Sequence, residues 1–174
     1  PFAVGFLPRE AQMKHIITLV LGLSAISASA ETRLVYLQDG EGARIQIASL
    51  QLAQDGAYSV SMDETSFTDH FLSMRPFRCL EGSQKNWCHV PYTYEINRNI
   101  SVDLIDLEYD FLFVWKGAGE YGINMWNGVY YKIDQVDGQF VGALYEMDMD
   151  TLSAPPAAGD LRPVLPKHLH ESEP

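Results

Sequence analysis

Downstream of residue 30 the chain holds four histidines, His70, His89, His168 and His170. His70 stands beside Asp69 and three positions before Ser73, the residue types of a hydrolytic triad. On an extended segment side chains alternate faces, so Asp69 is aimed away from His70, and a surface histidine near a strand end is the better expectation. Asp103, Asp106, Glu108 and Asp110 have the chemistry of a general acid and base. Carboxylates at this density are more often a solvated helix face followed by a strand cap, and that is the expectation here.

Glu146, Asp148 and Asp150 alternate with Met147 and Met149, and His168 and His170 follow in the last segment. This mixture of hard, soft and imidazole ligands makes those five titratable residues weak candidates for copper or another divalent metal. Solvation explains the acidic strand end equally well, and a His-x-His in a loose tail binds metals unselectively. The patterns G-x-S-x-G and H-E-x-x-H are absent, as are phosphate- and dinucleotide-binding glycine patterns, so no cofactor is expected.

The densest aromatic stretch runs from Trp115 to Tyr131, interleaved with Gly117, Gly119, Gly122 and Gly128. Aromatic rings on a glycine-punctuated loop can stack on a sugar or an apolar ligand. The candidate ligand site is therefore Tyr121, Trp126 and Tyr130, with Glu120, Asn124 and Asn127 as hydrogen-bonding groups. The competing reading makes Trp115 and one of Tyr130 and Tyr131 core, with glycines that only turn the chain.

Both cysteines lie in FRCLEGSQKNWCHV, nine positions apart. Met74 to Leu80 and Trp87 to Tyr92 carry strand-forming residues around the polar turn Glu81 to Asn86, so a hairpin brings Cys79 and Cys88 within the ~4.4 to 6.8 Å between Cα atoms that a disulfide requires. A redox pair needs closer spacing, and a zinc site needs more ligands than Cys79, Cys88 and His89. A structural clip is expected.

The elements that must carry these groups have mostly period 2. Arg33 to Gln38, Arg44 to Gln51 (Ile45 and Ile47 inward) and Tyr58 to Asp63 read as half-buried strands separated by Asp39-Gly40 and Asp55-Gly56. His70 to Arg75 leads into the clipped hairpin, Asp110 to Lys116 reads as a buried strand, and Val129 to Val136 with Gln139 to Glu146 flank Asp137-Gly138. Ser101 to Leu107 suits a single helical turn with Ser101 as its N-cap. The sum is mostly β: about eight antiparallel strands and at most one short helix. A barrel-like (calycin-like) closed arrangement or a two-sheet sandwich accommodates them, and the barrel is favoured because it leaves no free edge.

Met13 to Ala30 has a basic start, an apolar run at 16–26 and the triplet Ala28-Ser29-Ala30, the pattern of a signal peptide cut after Ala30. Its apolar run would span only about half of a ~30 Å hydrocarbon core. Residues 1–12 fit no export pattern and read as an upstream extension. A single β-rich domain is expected at 31–152, and a Pro-rich acidic tail at 153–174, partly extended along the domain and frayed at its end. Removing residues 1–30 takes Arg9, Lys14 and Glu10 from the 12 basic and 23 acidic residues, leaving 10 against 22, or −12. That charge repels phosphate, so nucleic acid is excluded as a partner class, and no membrane anchor is expected.

Asp106 to Ile133 (DLEYDFLFVWKGAGEYGINMWNGVYYKI), together with FLSMRPFRCLEG and NWCHVPY, resembles a family of small exported proteobacterial proteins with no assigned activity. The resemblance implies the compartment, periplasm or medium, and brings no catalytic or ligand residue. The functional expectation is a non-enzymatic binding or interaction module taking a small ligand or an envelope protein. The alternatives are a small hydrolase built around His70 or His89, and a metal-handling protein.

Overall fold

The computed structural model describes residues 30–72 and 75–171. The expected upstream extension at 1–12, the expected leader up to residue 29, Ser73 and the end of the tail at 172–174 lie outside the described residues. Strands β1 (Glu31–Gln38), β2 (Arg44–Leu52) and β3 (Tyr58–Met62) form one antiparallel sheet. Strands β4 (Thr68–Leu72), β5 (Arg75–Leu80), β6 (Lys85–His89), β7 (Phe113–Gly117), β8 (Gly128–Val136), β9 (Gln139–Met147) and β10 (His170–Glu171) form a second. Its order is β10-β9-β8-β7-β6-β5-β4, antiparallel throughout. One short helix, α1 (Ile105–Asp110), lies between β6 and β7.

The expected turns fold for local reasons. Asp137 and Gly138 have φ of 49° and 78° and join Val136 directly to its partner Gln139, the two-residue connection whose twist suits flanking strands. In the first hairpin the Asp39 carboxylate accepts from the amides of Glu41 and Ala43, at 3.0 and 2.8 Å. Gly56 has φ of 83°, and a Cβ there would sit 2.7 Å from the Ser101 amide nitrogen, so the second turn needs glycine twice over.

The sheets share no strand and do not close. They meet through a common core: Ile47, Leu50 and Tyr58 from the small sheet against Phe67, Leu80, Phe113 and Val129, with Leu107 and Phe111 filling in from the helical segment. Each such buried side chain contributes about 1.5 to 3 kcal/mol of transfer free energy. The other face of the large sheet is covered as well, by Tyr92, Ile96, Tyr109 and Leu112 packed on Val114, Tyr130 and Met147. A strand covered on both faces is apolar at consecutive positions, which is why Phe113 and Val114 are both buried.

Two local expectations give way. Partners step from Val35↔Ala48 to Tyr36↔Gln46, leaving Ile47 as the extra residue of a bulge. Ile47 and Ala48 are therefore both buried, while Ile45 is exposed. Ser101 does not cap the helix, because its amide and hydroxyl both bond to Asn99 Oδ1. The helix starts later, with Asp103 accepting from the Ile105 amide at 3.0 Å.

Candidate functional site

Cys79 and Cys88 stand directly opposite each other in β5 and β6, fully buried and disulfide-bonded, with Cα atoms 3.9 Å apart. This separation of 3.9 Å lies below the expected range of ~4.4 to 6.8 Å. The clip anchors the turn at Glu81 to Gln84, whose Gln84 carbonyl accepts from the Ala118 amide at 2.9 Å. That contact ties down the neighbouring β7–β8 connection, which carries the expected ligand site.

The six residues of that site separate into three groups. Glu120, Asn124 and Asn127 brace the loop: Glu120 Oε2 accepts from the Gly117 amide (3.1 Å), Asn124 Oδ1 from the Trp126 amide (3.1 Å), and Asn127 Nδ2 donates to the Trp115 carbonyl (3.3 Å). Tyr121 and Trp126 are left 86% and 70% exposed on the loop so fixed. Tyr130 leaves the loop entirely, since β8 sends it to one face of the sheet and Tyr131 to the other, each into a different core cluster. Beneath the loop, Trp115 is half-buried with Lys85 Nζ 4.0 Å above its ring centre.

The second arrangement centres on α1, and it corrects the expectation of a solvated acidic face. Asp106 and Glu108 are buried. Glu108 bonds the Tyr130 hydroxyl through one oxygen and accepts from the Ile133 amide at 2.7 Å through the other. Asp110 accepts from Tyr58 Oη and from Arg98 Nη2, both at 2.9 Å. Asp106, with no exposed side-chain surface, takes Arg162 Nε at 2.7 Å, and the same guanidinium reaches Asp103 at 2.9 Å. His89 Nε2 lies 3.0 Å from the Asp110 carbonyl oxygen, which makes that nitrogen the donor.

Burial raises the Glu108 carboxyl above its ordinary range, against the bonds from Tyr130 and Ile133 that favour its charge. Burial also pushes the Tyr130 hydroxyl far up, with Glu108 adding to the effect, so the phenol keeps its proton at neutral pH. Burial keeps His89 below the usual imidazole value and therefore neutral. Burial would raise Asp103, but Arg162 and the Ile105 amide outweigh it and hold the group low. Each carboxylate is thus consumed by a structural partner, and the cluster joins α1 to β3, β8 and the tail.

The remaining candidates are dispersed. Glu146 faces His170 in register across β9 and β10, Asp148 accepts from the Asp150 amide (2.9 Å), and His168 Nδ1 accepts from the Leu165 amide (3.1 Å). Among the described residues no three His, Cys, Asp or Glu side chains are grouped to hold a metal. His70 Nε2 lies 3.1 Å from Glu81, while Asp69 turns to Arg78 at 3.4 Å.

A cleft of about 590 Å³ opens near the far end of β8, lined by residues of both sheets and of the segment 100–104. Leu52, Ile100, Leu104 and Phe140 form its apolar surface, and Arg33, Asp55 and Gln135 its polar rim. The Arg33 guanidinium lies 4.5 Å over the Phe140 ring and donates to the Gly138 carbonyl at 3.2 Å. Arg33 and Gly138 are separated by 105 residues, a pairing no local pattern announces. No helix among the described residues is long and apolar enough to cross a membrane. Comparison with protein-family models, with curated proteins and with solved structures finds no match to this chain.

Proposed function

We propose that the protein is an exported, non-enzymatic binding or interaction module of the cell envelope, and that Tyr121 and Trp126 form its contact surface. The observation that carries this reading is the pair of rings held in water by a loop whose own polar groups are already bonded. Exposed aromatics contribute little to folding, whereas rings fixed in advance lose little entropy on contact and dominate many interfaces. The buried disulfide suits an oxidising compartment, in keeping with the resemblance to exported proteobacterial proteins. A second reading, a small amphipathic ligand in the Arg33–Phe140 cleft, rests on that cleft's apolar surface and size.

Thermal unfolding of residues 31–174 with envelope oligosaccharides and with fatty acids separates the two, because a ligand of the folded state raises the midpoint. A rise with oligosaccharides that disappears in Tyr121→Ala/Trp126→Ala supports the loop. A rise that survives loss of both rings overturns it, and a rise with fatty acids abolished by Phe140→Ala assigns the cleft instead.

A further inference from the structure

Residues 153–171 run over the surface without one buried side chain, yet what lies beneath them is among the most buried material in the molecule. Arg162 reaches into the acidic pair Asp103 and Asp106. The Val164 amide donates to the hydroxyl of the fully buried Tyr109 at 2.9 Å. Val164 and Leu169 pack on the cluster built from Tyr92, Tyr109, Tyr130 and Met147, and His170–Glu171 adds a two-residue strand to β9. An arginine fork on carboxylates, an aromatic-lined groove under a Pro-flanked segment, and strand addition at a sheet edge are devices by which folded domains capture extended peptides.

From this geometry we propose that the groove under residues 162–171 is a recognition site for an extended segment of another protein carrying Arg-Pro followed by aliphatic residues, and that the chain's own tail occupies it in cis. Charge selects the occupant. Asp106 is buried without a positive partner other than Arg162 among the described residues, so whatever fills the groove must bring a cation, and the planar guanidinium serves both carboxylates at once. Pro163 fixes the backbone of the extended stretch at Val164 and Leu165, and Pro166 opens a 3-10 turn, Pro166–His168, that leads on to Leu169, so both prolines reduce the entropy lost on docking.

The tail also leaves part of the groove unused. The Tyr92 ring packs at a tilt against Tyr109, centroids 4.7 Å apart, and its hydroxyl, on a side chain nine-tenths buried, has no hydrogen-bond partner among the described residues. Strand β10 pairs with only Tyr145 and Glu146 of β9. A foreign segment meeting Tyr92 and more of β9 has bonding capacity that the tail does not use, which makes displacement feasible.

The test uses a fluorescent peptide of residues 159–171, GDLRPVLPKHLHE, titrated by anisotropy into the full chain and into Arg162→Ala. A groove freed of its internal competitor binds with higher apparent affinity, so the variant should bind about tenfold more tightly. The same peptide with its arginine replaced by alanine should bind neither protein. Equal affinity for both proteins, or equal binding of the alanine peptide, overturns the proposal. Should Arg162→Ala fail to fold, hydrogen exchange on the unmodified chain decides: millimolar peptide should speed exchange at the amides of residues 162–171 and leave β5 to β7 protected. Unchanged exchange in that segment overturns the proposal.

Discussion

The clipped hairpin and the acidic centre at α1 hold the same large sheet in different ways. Cys79 finds its partner nine residues away, across a turn that its own flanks dictate. Asp110 finds Tyr58 at a separation of 52, and Asp106 finds Arg162 at 56. The hairpin closes a short loop and needs nothing else. The acidic centre consists of charges that would be costly in a core, made tolerable by donors from β3, β8 and the tail. A local contact thus stabilises largely by constraining the unfolded chain, while a distant one makes each partner depend on the rest of the fold.

The sharpest way to break this comparison is Glu108→Leu, which leaves the buried Tyr130 hydroxyl and the part-buried Ile133 amide without an acceptor. At about 1 to 3 kcal/mol for each orphaned group, urea unfolding should show a loss of about 2 kcal/mol or more. Glu108→Gln keeps an oxygen for Ile133 and presents an amide to Tyr130, and should stay within about 1 kcal/mol of the parent. Equal effects of the two substitutions would show that the bonds do not hold the centre.

Cys79→Ser comes next, with an expected loss of roughly 2 to 3 kcal/mol from the released loop. A titre of two free thiols in oxidised, unfolded protein would remove the clip from the comparison altogether.

A smaller effect separates the regions by pH. The Glu108 carboxyl is raised in the fold, so folding favours its protonated form. Its contribution is fully present below the ordinary value of 4.5 and is lost as pH rises through the folded-state value. The stability difference between the parent and Glu108→Gln should therefore move in the parent's favour on acidification across that window, measured by urea midpoints at successive pH values. In Cys79→Ser, which leaves every carboxylate in place, stability relative to the parent should show no such trend.

The smallest expected effect is at the aromatic loop, which belongs to neither region. Tyr121→Ala and Trp126→Ala should each change stability by less than about 0.5 kcal/mol, as exposed positions do. A larger loss in thermal unfolding would mean that the rings serve the fold and not a partner.

Much of the fold was legible because its signals are local. Asp137-Gly138 needs only its own backbone to turn, and Tyr58, Val60 and Met62 point inward because strand side chains alternate. The misreadings share one cause. Ser101 looks like a cap until Asn99 claims it, and Ile45 looks buried until a bulge forms at Ile47. Asp106 and Glu108 look solvated because nothing within a few residues offers them a partner. Of the expected ligand residues, Glu120, Asn124 and Asn127 are polar for the loop's own sake, which residue type cannot distinguish from readiness for a ligand.

The sequence by itself therefore determined the antiparallel β class, the hairpin turns and the disulfide, because each depends on residues a few positions apart. Only the tertiary structure decided that the sheets stay open, that the carboxylates of α1 go inside, and that Tyr121 and Trp126 face water while Tyr130 does not. Those outcomes depend on which distant group arrives to satisfy a buried charge or cover a ring, and that pairing exists only once the whole chain has packed.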